Sequence, residues 1–199
     1  MIEGFDAIPG ETPIDDISGL RLRGIHCRSQ LNAAEAENIR KVVLRYLLAT
    51  PTRRQAPIDL PWCFKLHKQM FGDVWKWAGT PRRVELNLGV PAYRIEVDLQ
   101  SLLDDLAYWK AHGDMPLVEQ AARLHHRAVL IHPFLNGNGR WARMLANIYL
   151  KRQKAPLTVW PDRAIGQSSP IRQEYLEAIR AADGGDYCAL IEMHSQYAR

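Results

Sequence analysis

The sequence has few of the features that mark secreted, zinc-binding or membrane proteins. Its 199 residues include three cysteines, Cys27, Cys63 and Cys188, which are odd in number and spaced unlike a zinc site. They indicate reduced thiols rather than a disulfide framework. No window approaches the ~18 apolar residues of a membrane span, and the start lacks the basic and apolar segments of a signal peptide. We therefore expect a cytoplasmic protein with no membrane contact.

Neither basic nor acidic residues are in large excess. The chain has 26 basic and 22 acidic residues, a net charge of +4 and a hydrophobic content of 47%. This composition is ordinary for a globular domain. Nucleic-acid binding needs basic side chains gathered on one face, whereas the basic clusters here are short and separated. Direct nucleic-acid binding is therefore not expected.

The hydrophobic pattern predicts a mainly α protein. Residues 1–28 are expected to form an irregular arm, and 29–199 a single domain with a core at about 60–152. The period of the apolar residues predicts an N-terminal helix over 32–49 and C-terminal helices over 170–198. Asn32 followed by Glu35 resembles a capping box at the start of the first helix.

One segment has the alternating pattern of β-strands. Val84 and Leu86 alternate with polar residues, as do Tyr93 and Ile95, and the letters GVPA lie between the two runs. Two such runs around a glycine–proline turn predict a β-hairpin over about 84–97. The expected fold is therefore a helical bundle with one hairpin.

The segment HPFLNGNGRWAR, residues 132–143, combines several groups that suit a phosphate site. It lies between two predicted helices, so the unpaired N–H groups at the start of the second helix can bind an anion. Gly137 and Gly139 allow the backbone to approach a ligand closely. Arg140 and Arg143 add guanidinium groups that fork onto phosphate oxygens. An array of this size suits a polyphosphate.

Two further residues of this segment suggest a reaction. His132 can be neutral near physiological pH and could remove a proton from an attacking hydroxyl group. Asn136 offers an oxygen that could ligate Mg²⁺, which favours oxygen ligands and bridges phosphates. The residues together predict phosphoryl or nucleotidyl transfer from a nucleoside triphosphate.

The same segment resembles the signature of the Fic/Doc family, His-Pro-Phe-x-(Asp/Glu)-Gly-Asn-Gly-Arg-x-x-Arg. Upstream, MFGDVWKWAGTPR is similar to the family segment that leads into its flap hairpin. The resemblance covers about residues 30–152 and, at finer grain, extends to the bacterial subgroup called mobile mystery protein B. It implies a Fic-type helical bundle with one β-hairpin flap.

The resemblance also implies an activity and a role for each motif residue. Members of this family are mostly protein adenylyltransferases, which move AMP from ATP to a hydroxyl side chain of a target protein. The implied roles are general base for His132, core anchor for Phe134, anion hole for Gly137, Asn138 and Gly139, phosphate ligand for Arg140 and γ-phosphate ligand for Arg143. Asn136 stands where the motif has an acidic metal ligand, and it contributes no negative charge to Mg²⁺ binding.

The family flap docks an extended segment of the target by strand addition. Here that role would fall to Val84, Leu86, Tyr93 and Ile95. Many family members also carry an inhibitory helix with the motif Ser/Thr-x-x-x-Glu-Gly/Asn. AAEAEN, residues 33–38, matches it in part, so Glu37 is expected to pair with Arg143 and block the γ-phosphate.

Two alternatives to AMP transfer stay open. The first is phosphotransfer, although phosphotransferring relatives have lysine at the position of Gly139. The second is a non-catalytic module that acts with a DNA-binding partner. An antitoxin-like partner protein is a further expectation, because inhibition could come from a separate chain.

Overall fold

The computed structural model describes residues 17–199, and within that range the fold is mainly helical. The helices are α1 (Arg28–Tyr46), α2 (Leu60–Phe71), α3 (Ile95–His112), α4 (Leu117–Ile131), α5 (Asn138–Arg152), α6 (Asp162–Ile165), α7 (Pro170–Asp183) and α8 (Cys188–Gln196). A short 3₁₀ turn, Ala92–Arg94, leads directly into α3. Pairing of extended backbone in this range is confined to two isolated antiparallel bridges.

Local chemistry explains where several helices begin and end. Asp59 caps α2 by accepting a hydrogen bond of 2.9 Å from the Trp62 N–H, and Ser169 caps α7 in the same way. Gly113 ends α3 in the left-handed conformation, as a C-cap glycine does. α1 begins at Arg28 rather than at residue 32, so the expected capping box does not form there.

Helix α4 lies at the centre of the bundle. It packs against α3 and α5 on one side and against α7 and α8 on the other. Leu124, Ala128 and Ile131 contribute to the larger core, built from α1 to α5, while Ala122 joins a smaller core under α7 and α8. The small side chains on α4 let neighbouring helices approach closely, and Phe134 in the segment after α4 belongs to the larger core.

The arm expected over residues 1–28 is described only in part, because residues 1–16 lie outside the described range. Residues 17–27 carry no helix. They run beside 74–76, where Leu20 forms an antiparallel bridge with Trp75 and the Arg21 N–H donates to the Val74 carbonyl at 2.8 Å.

The predicted hairpin over 84–97 does not form. Residues 84–91 are irregular, Tyr93 lies in the 3₁₀ turn, and Ile95 is the first residue of α3. The physical reason is that Ile95 and Leu99 also match a helical stripe that continues through Leu102 and Leu106. All four of these side chains are buried. Burial of that stripe stabilises the helix more than the short alternation stabilises a strand.

We expect Gln100→Pro to destabilise the protein by about 3 kcal/mol or more, because it removes a hydrogen bond inside α3 and clashes with the preceding turn. Gln100 is exposed, so no core contact is lost. Urea unfolding measures the change, and Gln100→Ala is the control because alanine favours the helix. Equal stability of the two variants would contradict a helix at this position.

Candidate functional site

The loop between α4 and α5 is closed by the side chain of Asn138. Its Oδ1 accepts from the Phe134 N–H at 2.9 Å, and its Nδ2 donates to the Phe134 carbonyl at 2.8 Å. Asn138 is buried. The Asn138 amide thus holds the loop, and the backbone N–H of Asn138 is the group that is expected to contribute to an anion hole. The first turn of α5 supplies the N–H groups of Asn138, Gly139 and Arg140, which have no acceptor within a helix.

His132 is the residue at which α4 ends. It has a φ of 53° and a ψ of 59°, which is a left-handed conformation that few residues other than glycine adopt. The imidazole is 9% exposed. Burial and, to a smaller extent, the Arg82 charge lower the pKa of His132, a hydrogen bond to the Val129 backbone opposes both, and the resulting pKa is about 4. The ring is therefore neutral at physiological pH and has one nitrogen without a proton.

Arg82 joins this loop to the segment that was expected to be a flap. Its guanidinium donates to three backbone carbonyls, those of His132 at 2.8 Å, Val84 at 2.9 Å and Val90. The Arg82 N–H also donates to the Pro133 carbonyl at 2.9 Å. Residues 82–90, named here the docking loop, are thus closed by one buried cation, which the sequence-based reasoning missed.

The docking loop lies against the histidine. A Cβ atom added to Gly89, which has a φ of +98°, would lie 2.5 Å from the His132 Cβ. Of the residues expected to dock a target, Val84 is 53% exposed and Tyr93 is 82% exposed, and Leu86 is half-buried. Ile95 is 1% exposed. Its expected docking role is therefore wrong, because α3 turns this side chain into the core.

A second buried imidazole, that of His67, packs against the loop between α4 and α5. His67 stacks on Phe134 with ring centres 3.6 Å apart. Its Nδ1 accepts from the Gly79 N–H at 2.9 Å, so its Nε2 must carry the proton that is donated to the Asn136 carbonyl at 3.0 Å. Burial lowers the pKa of His67 to about 3, although the bond to Asn136 opposes this, and the neutral ring fits both hydrogen bonds.

Gly137 is the N-cap of α5 and has a φ of +80°. A Cβ atom here would lie 2.7 Å from Cζ of Phe71. The other face of that ring is restricted as well, since the Arg140 guanidinium carbon lies 4.9 Å from its centre and the His67 ring 4.7 Å away. Only glycine combines this backbone conformation with this contact.

Arg140 is held by a glutamate of α1, but the residue is Glu35. The Glu35 carboxylate is buried, lies 2.6 Å from Nη1 of Arg140 and accepts from Nε1 of Trp75 at 2.6 Å. Its place four residues after Leu31 and seven before Val42, both buried, is the sequence signal that could have identified it.

The expected pairing of Glu37 with Arg143 is wrong. Glu37 lies on the outer face of α1, where its exposed carboxylate pairs with Arg40 at 2.8 Å. A step of two residues along a helix turns a side chain by roughly 200°, which places Glu37 on the face opposite to Glu35. The Glu37 carboxylate therefore cannot cover Arg143 in this arrangement.

Arg143 is paired with Asp162 at the start of α6. Nη2 lies 2.9 Å and Nε 3.1 Å from the same carboxylate oxygen. Arg143 is 7% exposed, and its guanidinium carbon lies 5.6 Å from the centre of the Tyr175 ring. Burial lowers the pKa of Arg143, but Asp162 and Tyr175 together outweigh burial, so the pKa lies above its ordinary value.

The side chain of Asn136 hydrogen-bonds the backbone of the next residue. Oδ1 accepts from the Gly137 N–H at 2.6 Å. Across residues 17–199, no three His, Cys, Asp or Glu side chains are grouped so that they could hold a metal ion. The Oδ1 atom of Asn136 is an oxygen donor of the kind that Mg²⁺ accepts.

His132 lies at one end of the closed loop, and the first two turns of α5, with Gly139, Arg140 and Arg143, lie at the other. A neutral imidazole beside a helix N-terminus and two guanidinium groups can bind an anion and accept a proton. None of the helices in the described part of the chain is long and apolar enough to cross a bilayer.

Comparison with known proteins shows that the segment containing this loop is similar to a known family. The sequence profile of the Fic/DOC family matches residues 57–150. Protein adenylyltransferase fic-1 of Caenorhabditis briggsae is 29% identical over 207 aligned residues, which cover 98% of this chain and 38% of the relative. The chain thus spans well under half the length of that curated relative.

Solved structures share the fold. Fic-1 from C. elegans matches with a TM-score of 0.68 and 23% identity, over 98% of this chain and 56% of that one. The BepC protein of Bartonella tribocorum, solved with bound AMPPNP, matches with a TM-score of 0.67 and 17% identity, over 93% of this chain and 94% of that one. These similarities establish a Fic-type helical fold.

We expect Gly137→Ala to destabilise the protein by about 1–3 kcal/mol, because the new methyl group would strain a left-handed residue and displace Phe71. The matched control is Gly139→Ala. That glycine is helical, and the nearest atom to an added Cβ would be Nη1 of Arg143 at 3.5 Å. The control should be neutral or more stable in urea unfolding. Equal losses in both variants would show that the Phe71 contact does not decide the effect.

Proposed function

The chain carries a Fic/DOC family domain at residues 57–150, and from this premise we propose that it transfers AMP from ATP to a hydroxyl side chain of a target protein. The observation that carries the proposal is the closed loop, which joins the neutral imidazole of His132 to the N-terminus of α5. Curated relatives named protein adenylyltransferase support the same activity at family level.

The proposed reaction assigns each bond change. His132 accepts the proton of the target hydroxyl, whose oxygen attacks the α-phosphorus of ATP. The bond from the α-phosphorus to pyrophosphate breaks, and pyrophosphate leaves. A pKa of about 4 makes the ring a weak base while the site holds only protein cations. The negative charge of a bound triphosphate would stabilise the imidazolium and so raise that pKa toward the range useful for catalysis.

ATP binding would use the backbone and two cations. The N–H groups of Asn138 and Gly139 would bind phosphate oxygens at the helix N-terminus. Arg140 would bind a phosphate while Glu35 keeps its guanidinium in place, and Arg143 would take the γ-phosphate. The AMPPNP bound to BepC, which shares this fold, supports a nucleotide as ligand.

Mg²⁺ is proposed as the metal that accompanies ATP. The phosphates and water would supply most of its ligands, and Oδ1 of Asn136 would supply one. When bound, the ion neutralises part of the charge on the leaving pyrophosphate.

The target would dock on the docking loop. The loop contacts His132 through Gly89, and it carries the exposed apolar side chains Val84 and Leu88 beside Tyr93. An extended segment laid along this loop would therefore pass close to the imidazole. Recognition by backbone pairing does not name a target sequence, and an antitoxin-like or DNA-binding partner would have to be found by separate binding experiments.

We predict that His132→Ala lowers transfer of label from ATP labelled at the α-phosphate by roughly 10²–10⁴-fold. ATP affinity should change little, since the phosphate ligands are backbone groups and arginines. The assay incubates the purified chain with Mg²⁺ and a cell lysate, and calorimetry measures ATP binding.

The control for this substitution is His112→Ala, which removes an exposed imidazole from α3. Undiminished labelling by His132→Ala would remove this residue from the mechanism. Transfer of label from the γ-phosphate instead of the α-phosphate would establish phosphotransfer. Absence of transfer from either position by the native chain would favour a non-catalytic module.

For Asn136→Asp we expect the Mg²⁺ concentration for half-maximal labelling to fall, because a carboxylate adds charge beside the metal and can still accept from the Gly137 N–H. Asn32→Asp, which adds the same charge on the exposed face of α1, is the control. If the Mg²⁺ dependence is unchanged in Asn136→Asp, the Asn136 side chain only shapes the loop.

A further inference from the structure

A line of buried polar side chains leads away from Arg143 into the C-terminal half of the chain. The Tyr175 hydroxyl lies 3.1 Å from Nε2 of His125, and Nδ1 of His125 lies 3.2 Å from Nε2 of His194. Nδ1 of His194 lies 2.8 Å from Oγ1 of Thr158. These four side chains, named here the Tyr175 relay, come from α7, α4, α8 and the segment before α6, and all are buried.

The far end of the relay is fixed to α5. Nδ2 of Asn147 donates to the Thr158 carbonyl at 2.9 Å, and the Thr158 N–H donates to Oδ1 of Asn147 at 3.0 Å. Asn147 is four residues after Arg143 on the same helix. The relay therefore leaves α5 at Arg143, crosses the smaller core and returns to α5 one turn later.

Arg143 sets the direction of every hydrogen bond in the relay. The Arg143 guanidinium carbon lies 5.6 Å from the centre of the Tyr175 ring. A guanidinium has donors only, so its charge favours the Tyr175 oxygen facing it, and the Tyr175 hydroxyl then donates to Nε2 of His125. His125 then carries its proton on Nδ1 and donates to His194, which in turn carries its proton on Nδ1 and donates to Thr158. If every hydrogen bond of the relay had the opposite donor and acceptor, the Tyr175 hydroxyl hydrogen would point toward the Arg143 cation and would have no acceptor in the relay.

Both imidazoles suit this arrangement only as neutral rings. Burial places the pKa of His125 well below its ordinary value, and the charges of His194 and Arg143 lower it further. Burial likewise lowers the pKa of His194 to about 3. Each ring therefore has one donor and one acceptor nitrogen, as a hydrogen-bonded line of constant direction requires.

Arg143 thus has two different supports. On the solvent side it is paired with Asp162, whose side chain is 70% exposed, and on the buried side it lies against the Tyr175 ring, 5.6 Å from its centre. An incoming phosphate can exchange with or share the exposed carboxylate, because water solvates Asp162 when it moves away. It cannot exchange with the buried hydroxyl, which would lose its partner.

We propose that the Tyr175 relay positions the Arg143 guanidinium for the terminal phosphate of the bound nucleotide, so that α7 and α8 form part of the nucleotide site. The identity of the ligand rests on the proposed function. Tyr175, His194 and Thr158 all lie beyond residue 150, where the family match ends. The matched segment is therefore incomplete as a nucleotide site without the C-terminal helices.

The first test uses the native full-length chain and needs no variant. Long-range ¹H–¹⁵N spectra of the imidazoles distinguish rings with a proton on Nδ1, rings with a proton on Nε2 and charged rings. We expect neutral rings with the proton on Nδ1 for both His125 and His194. A proton on Nε2 of either ring, or a charged ring at neutral pH, would overturn the relay.

The second test measures selectivity between ATP and ADP by calorimetry. Tyr175→Phe removes only the hydroxyl, and we expect ATP affinity to fall about tenfold while ADP affinity stays within about twofold. Tyr187→Phe is the matched control, since the Tyr187 hydroxyl lies 3.2 Å from Nδ1 of another buried histidine, His126, outside the relay. A general loosening of the C-terminal helices would affect both nucleotides and both variants alike, which would overturn the positioning role.

A third measurement separates failure of the relay from failure of the proposed function. If the native chain binds neither ATP nor ADP, the proposed function is wrong, and the Arg143 Nε–H resonance decides the positioning role alone. That resonance should be resolved in the native chain and broadened in Tyr175→Phe, with no change in Tyr187→Phe. An unchanged resonance in Tyr175→Phe would show that Asp162 suffices to hold Arg143.

Discussion

The two hydrogen bonds between the Asn138 amide and the backbone of Phe134 are the interaction on which the site depends. They close the loop between α4 and α5, and so fix where the second helix begins relative to the end of the first. Phe134 is anchored in turn by its stack on His67, whose neutral ring bridges Gly79 and Asn136. The position of His132 is thus set by backbone atoms and buried amides, with little dependence on surface side chains.

The sequence was sufficient for the helices and for the motif, because both depend on local signals. A helical period, a proline after His132 and paired glycines act over a few residues. The hairpin prediction failed where two periods overlapped, since Ile95 fits both a strand ending at 97 and a helix that continues to Leu106. Whether this segment becomes a strand or a helix depends on the surface of α2 and α4 against which it can bury its apolar side chains. The local sequence does not contain that information.

The two glutamates of α1 also show how far local sequence signals can predict a contact. Glu37 matched part of a motif, whereas Glu35 matched the spacing of the buried stripe between Leu31 and Val42. The partial match to the inhibitory motif pointed to Glu37, but the position of a residue around the helix axis decides whether its side chain faces the core. The Tyr175 relay could not be inferred at all, because its hydrogen-bonded pairs lie between 36 and 69 residues apart and meet only through packing of α4 against α7 and α8.

The closure of the docking loop by Arg82 has a consequence for sequence variation. The Arg82 bonds that hold the loop end on backbone carbonyls, and in one further bond the Ala92 N–H donates to the Glu85 carboxylate at 3.0 Å. Carbonyl groups are the same in every residue, so substitutions at outward positions such as Val84 and Leu88 leave the closure intact. The outer surface of the loop can therefore diverge toward new targets while the geometry around the imidazole is inherited unchanged.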